Sequence, residues 1–152
     1  MTPSKLRSEV VLERMAWIDR MLRALRRLPT GGLEAFRADP NTAAAAESYL
    51  RRALEALLDL SRHILAKGLG QGVAEYKEIA TALHTAGVLD AESARLLREM
   101  VGYRNRIVHF YHEIADDELL DICTRQLGDV EAIRERLLAW LRDHPDLLDS
   151  SL

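Results

Sequence analysis

The sequence predicts an all-α protein. Leucine and alanine together supply 46 of the 152 residues, whereas valine and isoleucine supply only 14. This balance favours helices over strands, because β-branched side chains lose rotamer freedom against a helical turn. Apolar positions recur every three or four residues over several long segments, and proline is absent between Asn41 and His144. We therefore expect long helices in an antiparallel bundle, within a single domain spanning residues 1–152.

The first half of the chain predicts two of the long helices. The first covers 6–28 and ends at Pro29 and two glycines. A short irregular or helical stretch over 33–37 leads to Asp39-Pro40-Asn41, which is typical of a helix cap with proline in the first turn. The second helix runs from this cap to about Lys67, where a glycine follows. The residues expected to be buried on these two helices are Val11, Met15, Ile18, Leu22, Leu25, Tyr49, Ala53, Leu57, Leu60 and Ile64.

The second half predicts a short helix and two more long ones. The short helix covers 73–86, and Asp90 is a suitable N-terminal cap for the next helix, which reaches about Val108. The last helix begins at 116–118, where three acidic side chains suit a first turn. The residues expected on the inner faces of the two long helices are Leu97, Met100, Val101, Arg104, Val108, Leu119, Cys123, Leu127, Val130, Ile133, Leu137 and Leu141. An arginine thus shares an apolar stripe, which costs stability unless it has a partner.

Composition and charge exclude several classes of protein. With 48% apolar and 30% charged residues, the chain is typical of neither a disordered nor a membrane-embedded protein. Cys123 is the single cysteine, no segment approaches ~18 apolar residues, and the N-terminus lacks a signal-peptide pattern, so we expect a cytoplasmic protein. The net charge of −3 combines basic segments at 1–28 and 95–106 with an acidic segment at 107–152.

Polar side chains concentrate over residues 103–113, around the predicted end of the helix that Asp90 caps. At about 100° per residue, Arg104 and His109 are about 140° apart on an uninterrupted helix, which is too far for a direct pair. Either the helix ends nearby, or the two groups converge on something outside it. Asn105 precedes His109 by four residues and could orient the imidazole through a hydrogen bond.

Arginine and histidine together suit one reaction class, the attack of an RNA 2′-hydroxyl on the adjacent phosphate. An imidazole, with an ordinary pKa near ~6.5, exchanges protons at neutral pH, and a guanidinium can pair with the anionic phosphorane oxygens. No metal is then required. Within the basic segment 95–106, Arg98 and Arg106 are candidate RNA-binding residues.

Two other interpretations of the same residues compete with this one. One is a capped helix end, in which Arg104 pairs with a carboxylate and His109 is half-buried. The other is a metal site formed by His109, His112, Glu113 and Asp116. These intervals fit no standard zinc pattern, so we expect no metal.

A resemblance to a known family rests on residues 104–111, Arg-Asn-Arg-Ile-Val-His-Phe-Tyr. They match the Arg-x4-His-x-Tyr signature of the HepT toxins, which belong to the HEPN ribonuclease superfamily. Further segments that look like the family's usual helices and turns are 49–68, 75–78, 87–89, 100–103 and 127–129. The resemblance implies a HEPN-type antiparallel four-helix bundle with an additional short helix. It also implies a homodimer in which two copies of the motif face one cleft.

The resemblance further implies a function. The protein would be a metal-independent endoribonuclease without a cofactor, with tRNA or mRNA as its substrate. Arg104 and His109 would form the catalytic pair, and Asn105 would occupy the polar catalytic position after the arginine. Such toxins belong to type VII toxin–antitoxin systems, in which an MntA-like minimal nucleotidyltransferase antitoxin adds AMP to the motif tyrosine, here Tyr111. The added bulk and negative charge would repel RNA phosphate from the cleft.

A function of another class uses the same surface. The protein would then be a non-catalytic helical subunit that binds a nucleotidyltransferase partner or a nucleotide and leaves RNA intact. A bundle that only oligomerises is a third interpretation. It is disfavoured because Arg104 on an apolar stripe costs stability unless it serves a purpose.

Overall fold

The computed structural model describes residues 4–109 and 114–152, and within these ranges the chain is helical, with one isolated bridge between Leu6 and Leu148. The helices are α1 (Ser8–Arg26), α2 (Leu33–Arg37), α3 (Pro40–His63), α4 (Tyr76–Thr85), α5 (Ala91–Val108), α6 (Asp116–Asp121) and α7 (Leu127–Asp143). Two π-helical turns and a short 3-10 helix complete the fold, at Ile64–Gly68, Ile122–Gln126 and Pro145–Leu147. None of the helices in these ranges is long and apolar enough to cross a lipid bilayer.

Helix α3 lies at the centre of the bundle. It packs most extensively along α1, and it also contacts each of the other five α-helices. Its buried leucines, each at most 1% exposed, are Leu50, Leu54, Leu57, Leu58 and Leu60. Burying one such side chain stabilises the fold by roughly 2 kcal/mol. The long helices α1, α3, α5 and α7 form the four-helix bundle, and α4 is the predicted additional helix. The predicted fold class is confirmed.

Two aspartates cap helices as the sequence predicts. Asp39 Oδ1 accepts a hydrogen bond from the backbone N–H of Asn41 at 2.9 Å, at the start of α3. Asp90 Oδ1 accepts one from the N–H of Ser93 at 2.8 Å, at the start of α5. Each bond satisfies an N–H group that has no partner within its own helix.

Most positions predicted to be buried lie in the core. The predicted inner residues of α1 are all buried, as are those between Leu119 and Leu141. Tyr49, Val108 and Arg104 are only partly buried. Val108 occupies the last turn of α5, where the helix ends and has fewer neighbours. The prediction of burial is therefore wrong at Tyr49. For Arg104 and Val108 the sequence predicts only a place on the inner face of α5, which partial burial does not contradict.

The short helix α4 begins three residues later than predicted, at Tyr76. Before it, Gly70 adopts a left-handed conformation with φ of 68°. The Arg62 guanidinium donates to the carbonyl of Ala74 at 3.2 Å. These features direct the preceding chain away from helical geometry.

The last helical segment is not a continuous α-helix, because the π-helical turn Ile122–Gln126 separates α6 from α7. The Thr124 hydroxyl donates to the carbonyl of Leu120 at 2.9 Å. A π-helical turn is wider than an α-helical turn, so residues four apart stay on one face. Leu119, Cys123 and Leu127 follow that spacing and all remain buried. Burial raises the pKa of the Cys123 thiol to about 12.

Candidate active site

The C-terminal end of α5 carries the predicted catalytic residues. The helix ends at Val108, and His109 follows it in an extended conformation with φ of −100° and ψ of 109°. The backbone N–H of His109 donates to the carbonyl of Asn105 at 2.9 Å. The side chain of His109 is exposed. Within one chain, the helix therefore ends between Arg104 and His109, which is the first of the two explanations offered for their 140° separation.

Arg104 has an acidic partner on α3. Its Nε donates to Glu55 Oε1 at 3.2 Å, and the other carboxylate oxygen accepts from Arg51 Nη1, also at 3.2 Å. The Arg104 side chain is 21% exposed and that of Glu55 26%. One carboxylate thus pairs with two guanidinium groups and leaves a net positive charge. The pairing of Arg104 with a carboxylate agrees with the capped-helix interpretation, whereas the exposure of His109 does not.

Tyr76 supports the same arginine from α4. The Arg104 Cζ lies 4.7 Å from the centroid of its ring, and the Arg62 Cζ lies 4.6 Å from it. The Tyr76 hydroxyl donates to Asp59 Oδ1 at 2.9 Å. Burial, together with the bond to Asp59, raises the pKa of Tyr76 above its ordinary value, so the phenol stays protonated at neutral pH. A neutral ring is the form that attracts both cations.

These side chains line an open cleft of about 410 Å³ between α3, α4 and the end of α5. The lining residues are Arg62, Ala74, Glu75, Tyr76, Lys77, Arg104 and Asn105. Lys77 Nζ lies 3.0 Å from Glu75 Oε2. Among the lining residues, three cationic side chains outnumber the single carboxylate, so the cleft suits an anionic group such as phosphate.

Asn105 lies in the cleft beside Arg104, and its Oδ1 accepts from Arg104 Nη1 at 3.2 Å. The predicted hydrogen bond from the Asn105 side chain to the imidazole is not among the contacts of the described residues. His109 lies outside the cleft lining, about 7.5 Å further along the helix axis than Arg104. The two predicted catalytic side chains thus occupy adjacent parts of one helix end.

The two candidate RNA-binding residues differ in their surroundings. Arg106 makes a two-pronged hydrogen bond to Glu118 of α6, with Nη2 donating to Oε2 at 2.9 Å. These bonds raise the pKa of Arg106 and lower that of Glu118 relative to their ordinary values. Arg98 is exposed on the surface of α5. Arg106 is therefore already partly neutralised, and Arg98 is the more accessible cation.

Three residues named in the sequence predictions, Tyr111, His112 and Glu113, lie outside the described residues. Asp116, another ligand of the alternative metal site, accepts from Arg37 Nε at 3.3 Å. Among the residues at 4–109 and 114–152, no group of three or more His, Cys, Asp or Glu side chains is arranged to hold a metal ion.

Sequence reasoning missed Arg62 and Tyr76, which line the cleft, and Glu55, which pairs with Arg104. Glu55 follows Arg51 by four residues, so the sequence signals their contact on one helix face. Nothing in the sequence connects Glu55 or Tyr76 to Arg104, because these contacts depend on how separate helices pack. An arginine on an apolar stripe only shows that some partner is needed.

The helical fold is similar to folds seen in solved structures. The structure is similar to that of a tri-AMPylated HEPN toxin of Shewanella oneidensis in complex with MNT antitoxin, with a TM-score of 0.80, 23% identity, and coverage of 87% of this chain and 98% of that one. It is also similar to the cytosolic protein YutE of Bacillus subtilis, of unknown function, with a TM-score of 0.74, 13% identity, and coverage of 88% and 90%.

The sequence comparison identifies the family. Residues 18–137 match the ribonuclease HepT-like family, and the chain belongs to that family. A relative in Archaeoglobus fulgidus, named "Putative RNase", is 31% identical over 100 residues, which cover 66% of this chain and 70% of the relative. The family predicted from the motif at 104–111 is confirmed.

Proposed function

We propose that the protein is a metal-independent endoribonuclease and the toxin of a HepT/MntA-like toxin–antitoxin pair acting in the cytoplasm. The observation that carries this proposal is the position of Arg104. It is fixed by Glu55 and Tyr76 at a basic cleft, five residues before an exposed histidine. Membership of the ribonuclease HepT-like family supports it.

In the proposed reaction, the His109 imidazole removes the proton from an RNA 2′-hydroxyl. The freed oxygen attacks the adjacent phosphorus, the bond to the 5′-oxygen of the next nucleotide breaks, and a protonated imidazole returns a proton to that oxygen. The products are a 2′,3′-cyclic phosphate and a 5′-hydroxyl end. Arg104 binds the phosphate oxygens as negative charge builds on them, and Asn105 holds the Arg104 guanidinium.

A second copy of the chain completes this site in the proposal. The exposed His109 lies beyond the cleft lining, so two motifs brought together would offer one imidazole to remove a proton and another to return it. Arg98 and Arg106 would extend the basic surface along the RNA, with tRNA or mRNA as the substrate class.

The proposal includes control by a nucleotidyltransferase partner. An MntA-like antitoxin would transfer AMP to the Tyr111 hydroxyl, two residues after His109 in the chain, and release pyrophosphate from ATP. The bulk and negative charge of the attached AMP would repel RNA phosphate. The similar HEPN toxin of Shewanella oneidensis is described as tri-AMPylated and in complex with MNT antitoxin, which supports this part of the proposal.

The test is cleavage of total RNA by purified protein in excess EDTA. We expect the wild type to cut, His109→Ala to lose cleavage, and His84→Ala, which changes an exposed histidine of α4, to cut like the wild type. Cleavage that His109→Ala retains, or that EDTA removes, contradicts the proposal. If the wild type does not cut, mass spectrometry shows whether Tyr111 carries AMP, and an inactive unmodified protein also contradicts it.

The second candidate function is a non-catalytic subunit that binds a nucleotide or a nucleotidyltransferase. The basic cleft of about 410 Å³, with Tyr76 between two guanidiniums, favours it because phosphates and a base are the groups such a site holds. The measurement is calorimetry of ATP binding to the wild-type protein. If the protein binds ATP but leaves RNA intact, this function is supported over the first.

A further inference from the structure

A second basic surface lies between α1 and α3, and none of its residues lines the candidate active site. We call it the arginine groove. It has a volume of about 430 Å³. Its lining residues are Trp17, Arg20, Met21, Arg23, Ala24, Arg27, Tyr49 and Arg52. None of these described residues is acidic, so the groove is more uniformly positive than the cleft around Arg104.

The geometry of α1 aligns the cations of the groove. Arg20, Arg23 and Arg27 are spaced by three and four residues, so they share one face over about 10.5 Å of helix axis. Arg52 joins them from α3. All four side chains are exposed, and none forms an ion pair with a described residue. Arg26, which does not line the groove, is by contrast paired with Glu131 of α7.

Guanidinium groups on one helix face repel one another, and none of these four forms an ion pair with a described carboxylate. Like charges on one helix face are mutually unfavourable, so the cluster has an electrostatic cost in the free protein. A polyanion would relieve this repulsion. Binding of a polyanion would also release counterions and would therefore depend on salt. On a single strand, log K falls by about 0.7 per phosphate neutralised for each tenfold rise in salt concentration.

Two aromatic side chains narrow the class of polyanion. Trp17 and Tyr49 are partly buried in the same groove, and the Arg20 Cζ lies 5.5 Å from the Trp17 ring. A groove that combines guanidinium groups with aromatic faces is the arrangement by which proteins hold single-stranded nucleic acid. The cations bind phosphates, and the rings stack on bases at about 1–3 kcal/mol per base.

We propose that the arginine groove binds a single-stranded segment of RNA, outside the segment that is cut. Phosphates bind Arg20, Arg23, Arg27 and Arg52, and a base stacks on Trp17. The choice of RNA as ligand rests on the proposed function. A second copy of the chain does not fit here, because a two-fold contact would bring the same four cations against each other.

The test measures binding without cleavage. His109→Ala protein carrying Trp140→Phe keeps Trp17 as its single tryptophan. The probe is a fluorescein-labelled oligouridine of about 12 nucleotides, followed by anisotropy, and unlabelled oligouridine reports on Trp17 fluorescence. In this background, the groove variant changes Arg20, Arg23 and Arg27 to Gln. The control variant makes the same change at three exposed arginines outside the groove, Arg14, Arg125 and Arg142.

We expect the groove variant to bind oligouridine at least tenfold more weakly. The slope of log K against log salt concentration should also become shallower by about 2, because three phosphate contacts are lost. The control variant should stay within about twofold of its background, since its changed side chains lie outside the groove. Oligouridine should quench Trp17, whereas polyglutamate of similar charge should not, because it carries no base to stack.

Three results would overturn the proposal: equal loss of binding in both variants, no binding in the unmodified background, or polyglutamate binding that matches oligouridine without quenching Trp17. The last result would assign the groove to an acidic protein partner. Failure of the proposed ribonuclease function is scored separately. If RNA binds the groove but wild-type protein does not cut it, the proposed ribonuclease function is contradicted and the proposal for the groove stands.

Discussion

The Arg104 guanidinium and the Glu55 carboxylate connect α5 to α3 beside the candidate active site, with Nε donating to Oε1 at 3.2 Å. Arg51 shares the same carboxylate, and Tyr76 lies against the guanidinium. Two cations opposite one anion leave charge available for a phosphate. These contacts hold the Arg104 guanidinium in place without neutralising its positive charge. A residue that stabilises developing negative charge needs both properties.

Replacing Glu55 tests this positioning role. Glu55→Gln keeps the side-chain shape and removes the charge, so we expect kcat for RNA cleavage to fall by about tenfold with a smaller change in KM. The reason is that Arg104 loses the partner that orients it, whereas the substrate loses no contact. Steady-state kinetics on a defined RNA measure both constants. Glu78→Gln, at an exposed carboxylate of α4, is the control, and an unchanged kcat in Glu55→Gln would contradict the role.

The Tyr76 ring and its hydroxyl have separable effects. Tyr76→Phe keeps the ring that faces Arg62 and Arg104 and loses only the bond to Asp59. We expect it to retain activity within about threefold. Tyr76→Leu removes two cation–π contacts of about 0.5–1 kcal/mol each and should lower cleavage by about tenfold. Equal activity of the two variants, measured at matched concentration of folded protein, would show that the ring does not position Arg104.

The pair formed by Arg106 and Glu118 predicts a pH-dependent difference in stability. Hydrogen bonds from Arg106 lower the pKa of Glu118 in the folded protein below 4.5, its ordinary value. The stabilisation is therefore complete above that ordinary value and is lost as the pH falls through the lowered folded value. We expect Glu118→Gln to reduce Tm at about pH 7, and the difference from the wild type to shrink as the pH falls further below 4.5.

Two further measurements sharpen that prediction. Glu13→Gln, at an exposed position on α1, serves as the control for the loss of one surface carboxylate. Glu118→Gln should also free Arg106 to contact an RNA phosphate. The slope of log K for RNA binding against log salt concentration should then become steeper by about 0.7. A Tm difference that persists unchanged into acid would contradict the ion-pair account.

Local signals in the sequence predict the helices well, because caps and apolar spacing act within a few residues. Asp39 and Asp90 cap the helices that they were predicted to cap. The π-helical turn at Ile122–Gln126 was missed because a spacing of four between Leu119, Cys123 and Leu127 fits an α-helical seam as well as a wider turn. Periodicity alone does not distinguish the two.

The candidate site shows the limit of the same reasoning. The motif at 104–109 predicts which side chains carry the chemistry, and the apolar stripe predicts that Arg104 needs a partner. The identity of that partner, Glu55, comes from 49 residues earlier in the chain. No local pattern specifies such a contact, because it depends on the packing of α5 against α3.

Gly68 allows close packing where the two ends of the chain meet. A Cβ at this position would lie 2.9 Å from Leu6 Cδ1 and 3.8 Å from Leu147 Cδ1. Leu6 is fully buried, and its backbone N–H donates to the carbonyl of Leu147 at 2.7 Å, so its movement is restricted. We expect Gly68→Ala to lower the free energy of unfolding by about 1–3 kcal/mol, because the added methyl group overpacks the core.

Gly102→Ala is the matched substitution in open space. Gly102 lies in the interior of α5, and an added Cβ would meet no atom within 4 Å. Alanine restricts the unfolded chain and favours the helix, so this change should raise the free energy of unfolding by about 0.5–1 kcal/mol. Urea denaturation of both variants measures the two effects. A stabilising Gly68→Ala would show that Leu6 yields without cost, and the close contact between the chain ends would then not constrain residue 68.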